Sequence, residues 1–381
     1  MTVRILFWVQ HLLGSGHLRR ALSIAAALAG RGAEVTLASG GAPLPWAAPP
    51  GVRVVQLPVI RAEGGRIGRL VDGSGAPVGE RQVAGRRAML LGLLAELRPQ
   101  LVLTEMFPFG RRGFRGELLP LLEAARAMRP RPSIVCSLRD VLVSKRDPAR
   151  TAAMRDLCRA FYDRVLVHAD PRLVPLGASF PHAGELADLL AYTGYVHVGG
   201  RAAPAAVRRG VLVSAGGGAV GARLLRAAVQ ARRLVGGEEP WLLLTGANAA
   251  PSLLEELGAA AGPGLAVERH RDDVPALLAA CAVSVSQAGY NTVVEALVAG
   301  ASMVLVPFAA PGEDEQTLRA RRLAAIGMAR HLEEAGLTPE ALAGAVRQAL
   351  AEPTAAPGRF DTDGAGRSAG LLMELAGGAV T

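Results

Sequence analysis

The sequence of 381 residues has a single lysine, Lys145, among 42 basic residues, three cysteines, and only 4% aromatic side chains. Each scarcity removes a class of function. Cys136, Cys158 and Cys281 are unevenly spaced in apolar or helical contexts, so neither a disulfide framework nor a zinc spacing can be drawn from them, and a reducing cytoplasm is expected. The net charge of +9 is arginine spread along the chain. It forms no basic block and no basic patch interleaved with aromatics, so nucleic acid is not an expected partner. A phosphate-bearing small substrate or an anionic membrane surface suits such a charge better. No run of ~18 uncharged apolar residues exists to span a membrane. The opening "MTVRILFWVQ" lacks a small-residue cleavage site and reads as a first strand.

What is present is a rhythm. Short runs rich in Val, Ile and Leu alternate with longer Ala/Leu/Arg segments of helical period, the pattern of parallel strands covered on both faces. Strands are expected at 4–10, 34–39, 52–57, 101–105, 133–138 and 164–169, with helices at 17–30, 80–97, 115–128 and 150–161. The rhythm restarts at 210–215 and continues with strands at 240–245, 264–269, 282–286 and 302–307. Between the halves, 198–210 is rich in Gly, Pro and Ala and has no period, which suits a hinge. The expectation is an α/β chain of two doubly wound Rossmann-like domains facing across a cleft. They comprise residues 1–198, a linker at 199–209, and residues 210–381, whose last helix has the option of returning to the first domain. Residues 62–80 read as a long glycine-rich loop.

Open α/β sheets bind ligands at the carboxyl ends of their strands, which directs attention to the turns there. After the first strand, "GSGH" places Gly14, Ser15 and Gly16 in a tight turn and His17 at a helix start, where free amides and the dipole favour an anion. His17 titrates near neutrality and is a candidate base; Glu105, ending another strand, is a candidate to orient it or to act as base itself. A plain glycine-rich turn explains the same spacing.

In the second half, Ser214 leads into Gly216, Gly217 and Gly218, and Gly216, Gly218 and Gly221 make a literal G-x-G-x-x-G. The next strand ends without the acid that a dinucleotide would need, so a backbone cradle for phosphate is what remains. "SQAGYNTVVEALVAG" begins a second helix in that half, with Gln287, Gly289, Tyr290, Asn291, Thr292 and Glu295; Thr292 and Glu295 also fit a Thr-x-x-Glu capping box. A third helix start carries Glu313, Asp314, Glu315 and Gln316, side chains suited to sugar hydroxyls as well as to a helix dipole. The "DTD" at 361–363 reads as a solvated turn, and no metal site is expected. "FPFGRRGFRGELL", 107–119, mixes Phe with Arg in a way that suits peripheral contact with a membrane surface as well as an ordinary loop.

The glycine-rich turn ending in His17, together with residues 283–345, resembles the GT-B glycosyltransferases of family 28. The resemblance implies a metal-independent, inverting glycosyltransferase that needs no cofactor and moves a sugar from a nucleoside-diphosphate sugar, usually UDP-linked, to an acceptor hydroxyl or amine. It implies that Glu295 holds the ribose, that Gly289 to Thr292 and Gly216 to Gly218 surround the diphosphate, and that Glu315 and Gln316 meet the donor sugar. It also implies that His270 and Arg271 line the base and that His17 lies near acceptor and diphosphate. The first loop, "LLGSGHLRR", is less glycine-rich than in the family member that acts on lipid I, which points to a different acceptor, unidentified here like the oligomeric state. Two alternatives stay open: a sugar-nucleotide 2-epimerase on the same fold, and a non-catalytic sugar-nucleotide binding protein.

Overall fold

The computed structural model describes residues 2–12, 15–43, 47–63, 66–142, 147–198, 203, 205–217, 220–309, 314–354 and 360–378. The chain divides into two compact units, Met1–Val196 with Asp363–Thr381, and His197–Thr362.

In the first unit the apolar runs become β1 (Arg4–Val9), β2 (Glu34–Ser39), β3 (Val52–Gln56), β6 (Leu101–Glu105), β7 (Ser133–Arg139), β8 (Arg164–His168) and the short β9 (Leu190–Tyr192). They form one parallel sheet in the order β3-β2-β1-β6-β7-β8-β9. Continuous burial along β1 and β6 is what a strand covered on both faces requires. The crossovers are α1 (Gly16–Ala29), α2 (Glu80–Leu97), α3 (Arg115–Ala127) and α4 (Pro148–Phe161). α4 starts where Asp147 accepts hydrogen bonds from the Ala149 and Arg150 amides and Pro148 supplies a helical φ. The last helix, α11 (Gly364–Gly378), packs on α1, and Ala369, Leu372 and Ala376 enter the same core as Ile24 and Leu28. Val196 and Asp363 pair as an isolated antiparallel bridge where the chain leaves and re-enters this unit.

One expectation is corrected here. Much of 62–80 is not loop: β4 (Ile60–Glu63) and β5 (Arg66–Asp72) form an antiparallel hairpin, with Ile60 opposite Asp72 and Ala62 opposite Leu70. Burial of Ile60, Ala62 and Val71 ties it to the unit, and the Asp72 carboxylate accepts from the Ser74 and Ala76 amides to make the turn that follows. The glycines masked this short alternation.

The second unit repeats the plan with β10 (Val211–Ser214), β11 (Trp241–Leu244), β12 (Leu265–Glu268), β13 (Val283–Ser286), β14 (Ser302–Leu305) and β15 (Arg330–His331), all parallel, in the order β12-β11-β10-β13-β14-β15. Its helices are α5 (Ala222–Val235), α6 (Pro251–Gly258), α7 (Val274–Ala280), α8 (Tyr290–Ala299), α9 (Glu315–Ala325) and α10 (Pro339–Ala351). α5 and α10 bury Leu225, Ala228, Leu342 and Val346 over one face of the sheet, with Val213 and Val285 beneath. Each large aliphatic side chain so buried contributes about 1.5–3 kcal/mol. Among the described residues no helix is long and apolar enough to cross a membrane.

Candidate functional site

In each sheet the strand order reverses at one place, and the loops on its two sides diverge to leave a crevice at the strands' carboxyl ends. In the first unit that place is β1/β6, in the second β10/β13.

At β1/β6, Ser15 sits at the start of α1 without a side-chain cap, Gly16 is its first residue, and His17 projects from its first turn. His17 Nδ1 lies 2.6 Å from Glu105 Oε1, the carboxylate that ends β6. Glu105 is wholly buried, and the buried Arg20, one turn along α1, donates to the same Oε1. The Arg20 Nη2 also stands 3.2 Å from His17 Nδ1. The closer partner decides the tautomer: Nδ1–H donates to Glu105, and Nε2 keeps its lone pair, with no hydrogen-bond partner among the described residues. Burial pushes the imidazole's pKa down to about 3, against the pull of Glu105, while Arg111 and Arg20 push the same way as burial. The ring is therefore neutral, with 22% of its side-chain surface open. Burial opposes ionisation of Glu105, but His17, which donates to it, and the Arg20 and Arg111 cations outweigh burial and hold the carboxylate as an anion. That arrangement makes Glu105 an orienting group and not an accessible base.

The chain after β6 turns sharply, with Met106 and Arg111 both at positive φ, 66° and 59°, an uncommon state for residues with side chains. Phe107, Phe109 and Phe114 of this segment are buried, so the aromatics that suited a membrane surface belong to the core, and only Arg112 and Arg115 of its arginines are exposed. Behind the site, His168 at the end of β8 is fully buried between Ser137 Oγ (2.7 Å) and Thr193 Oγ1 (2.9 Å). A separate buried pair, Arg86 and Glu117, joins Trp8 and Gln10 and holds α2 and α3 to β1. Sequence reasoning missed Arg20 and His168. Arg20 reads as one more arginine of an amphipathic helix, though its spacing of three from His17 puts both on one face.

At β10/β13 the chemistry is mostly backbone. Ser214 Oγ accepts from the Gly216 amide at 3.2 Å, and Gly216 turns at φ +60°. The Gly217 carbonyl accepts from the Asn248 amide at 3.1 Å. A Cβ on Gly221 would meet the Ala215 Cβ at 2.1 Å, so this glycine serves the close passage of α5 over β10. A Cβ on Gly216 would lie 3.7 Å from Thr292 Oγ1, which places the glycine loop beside the start of α8. Gln287, nearly buried, donates to the Val220 carbonyl at 3.3 Å and ties the two loops.

The helix start of α8 differs from the capping-box expectation. The N-cap is Gly289, extended and without a side chain to cap; Tyr290 and Asn291 open the helix, Thr292 is its third residue and the half-buried Glu295 lies in its second turn. Thr292 is thus too far inside to cap, and the N-cap Gly289 brings no side-chain oxygen to the first amides. Glu315 starts α9, buried, 3.6 Å from Arg319 Nη2; Gln316 Oε1 accepts from the Phe308 amide at 3.1 Å. Arg319, missed in the sequence, is wholly buried, donates to the Ala288 carbonyl, and stacks 6.0 Å from the Tyr290 ring. Beyond β12, His270 is exposed, 3.3 Å from Asp272, and Arg271 grips Asp273 at 2.7 and 2.6 Å. Gly14, Gly218 and Glu313 lie outside the described residues. Among the described residues no group of His, Cys, Asp and Glu is placed to hold a metal. A cavity of about 540 Å³ between α11 and the amino ends of β7 and β8, lined by Arg131, Arg164, Leu166 and Leu371, lies at the opposite end of the first unit's sheet from its switch point.

Residues 212–361 match the model of the glycosyltransferase family 28 C-terminal domain. A curated relative, the UDP-N-acetylglucosamine–N-acetylmuramyl-(pentapeptide) pyrophosphoryl-undecaprenol N-acetylglucosamine transferase of Rhodospirillum centenum, is 40% identical over 81 residues, 21% of each chain. The chain thus spans about a fifth of that relative's length. Among solved structures, Acinetobacter baumannii MurG aligns with TM-score 0.58 at 18% identity, covering 99% of this chain and 94% of that one. A UDP-glucosyltransferase from Polygonum tinctorium capable of glucosylating indoxyl aligns with TM-score 0.64 at 12% identity, covering 100% and 94%. At such identities the likeness is one of fold, the two-domain GT-B architecture.

Proposed function

We propose, from the match of residues 212–361 to the glycosyltransferase family 28 C-terminal domain on a chain of GT-B fold, that this protein transfers a sugar from a nucleoside-diphosphate sugar, UDP-linked by preference, to an acceptor hydroxyl or amine with inversion. The observation that carries the proposal is the 2.6 Å contact of His17 Nδ1 with Glu105 at the first unit's switch point. It leaves a neutral imidazole with Nε2 available, the state a general base needs. In the proposed reaction the acceptor oxygen or nitrogen forms a bond to the anomeric carbon as the bond to the diphosphate oxygen breaks. Nε2 of His17 takes the acceptor's proton, and the diphosphate leaves with the bonding pair.

The donor is assigned to the second unit's switch point. Gly216, Gly217 and the opening amides of α8 meet the diphosphate, and the charge that develops there is met by oriented N–H groups. Glu295 takes the ribose and Glu315 the sugar; His270 and Arg271 border the base. Gln316 contributes less than its residue type suggests, because its oxygen is engaged by Phe308. Three buried free cysteines suit a cytoplasmic location. The exposed Arg112 and Arg115 offer charge, without aromatics, to an anionic membrane face.

The test is a panel of UDP-, dTDP- and GDP-sugars followed by thermal unfolding, then transfer assays with hydroxyl and amine acceptors in the presence of EDTA. Stabilisation by one nucleotide class and acceptor-dependent release of its diphosphate are expected. If no sugar nucleotide at millimolar concentration raises the unfolding temperature, the proposal fails.

A further inference from the structure

We propose that Arg20 is a positioning residue of the transfer reaction: its guanidinium holds the Glu105 carboxylate as an anion and so keeps the His17 proton on Nδ1, leaving Nε2 to receive the acceptor's proton. The inference rests on the reading of His17 as the base and adds a residue to it.

Two buried groups and the half-buried His17 share one small space. Arg20 donates to the same Glu105 oxygen that His17 Nδ1 reaches at 2.6 Å, and its Nη2 is 3.2 Å from that nitrogen. A carboxylate alone beside a histidine in a buried place would draw a proton onto the imidazole, giving an imidazolium–carboxylate pair and a base already occupied. A permanent cation on the same carboxylate removes that pull, because arginine does not give up its proton. Arg20 thereby separates two effects of Glu105: the hydrogen bond that orients His17 is kept, and the charge that would protonate it is offset. The other charged or titratable groups facing this cluster are Arg111, from the segment after β6, His11, from the segment after β1, and His168 at the end of β8. Cys136 on β7 also feels the Glu105 charge, as a thiol kept protonated by burial. Of these, Arg20 is the one that touches both Glu105 and His17.

The competition at Nδ1 sets a second expectation. If the Glu105 charge is removed while Arg20 stays, the Arg20 N–H becomes the natural donor to Nδ1, the proton moves to Nε2, and the base is lost whatever the pH. Removing Arg20 instead should leave the base intact but let it hold its proton to a higher pH, so that raising the pH past the new limb recovers it.

The experiment is the pH profile of kcat/KM for the full chain, wild type against Arg20→Met, Arg20→Lys and Glu105→Gln, with the His17 imidazole followed by NMR in the same proteins without substrate. Arg20→Met is expected to move the acid limb and the His17 titration upward by about one to three pH units, with activity returning above the new limb. Arg20→Lys, which keeps the charge, should stay close to wild type. Glu105→Gln should lose activity at every pH. Equal losses at all pH in Arg20→Met and Glu105→Gln, or a His17 titration that Arg20→Met leaves in place, would overturn the role of Arg20. Should Arg20→Met not fold, an Arg20→Lys protein with the Met-type upward shift would overturn it as well. A wild type that transfers no sugar defeats the reading of the reaction instead, and the NMR titration still decides the electrostatics.

Discussion

The two units share an architecture and a place for ligands, yet they furnish that place with different material. In the first, the switch point holds ionisable side chains locked together, the half-buried His17 on the buried Glu105 and Arg20. In the second, it holds glycines, hydroxyls and amides, with the buried Arg319 as a brace behind them. Proton transfer needs groups whose charge state is set by neighbours, whereas holding a diphosphate needs many weak donors close to the backbone. The contrast predicts that damage in the first unit is felt in rate and pH response, and damage in the second in affinity and stability.

The largest expected effect is His17→Ala, which should lower kcat by about 10²–10⁴-fold while donor affinity stays within about twofold. Initial rates and calorimetric titration of the donor measure the two sides. A comparable loss of donor affinity would erase the division of labour. Next comes Arg319→Met in the second unit. It strips the Ala288 carbonyl of a donor and leaves Glu315 buried beside an apolar chain. A loss of about 3 kcal/mol in urea unfolding is expected, with weaker donor binding and a catalytic pH profile that does not move.

Much of this contrast could be read in the sequence, and the part that could not has a physical reason. Strands and crossover helices were legible because a parallel sheet imposes unbroken apolar runs, as in "RILFWV" and "LVLTE". The hairpin at 60–72 was not, because only Ile60, Ala62 and Val71 are buried among its described side chains and its glycines resemble loop. The extended Gly289 at the head of α8 was hidden by a local Thr-x-x-Glu pattern that predicted a later start. His17, at a helix start, and Glu105, at a strand end, stand out by residue type. Arg20 and Arg319 do not, since a chain with 42 basic residues offers no way to tell a buried arginine from a solvated one until the strands are paired.

A graded effect follows from pH. Burial pushes the imidazole pKa of both His17 and His168 down to about 3. Between the ordinary histidine pKa of ~6.5 and that value, the unfolded chain binds protons that the folded chain refuses, so stability is full above ~6.5 and falls as the pH drops. Each group contributes a slope of about 1.4 kcal/mol per pH unit over that window. Both lie in the first unit, so hydrogen exchange between pH 7 and 5 should show protection lost there before the second unit. His168→Gln, which can still bond Ser137 and Thr193, should remove about half of the slope. A uniform loss across both units would count against the electrostatic difference between them.

The smallest expected effect is also the sharpest for the second unit, Glu295→Gln. With Gly289 as the N-cap, the capping explanation for Glu295 is gone. Thr292, three residues earlier, shares its helical face and borders the glycine loop, so the carboxylate lies on the side of α8 where the donor is proposed to bind. A carboxylate can accept from both ribose hydroxyls with charge assistance, while an amide offers one oxygen and no charge. Donor affinity should therefore fall by about five- to tenfold, near 1 kcal/mol, with unfolding stability unchanged within about 0.5 kcal/mol. A 2′-deoxyribose donor makes the test specific: wild type should lose affinity for it, and the Gln variant should lose little more. If the two losses simply add, or if the substitution destabilises the unit without touching affinity, Glu295 is a structural residue of α8 and the ribose is held elsewhere.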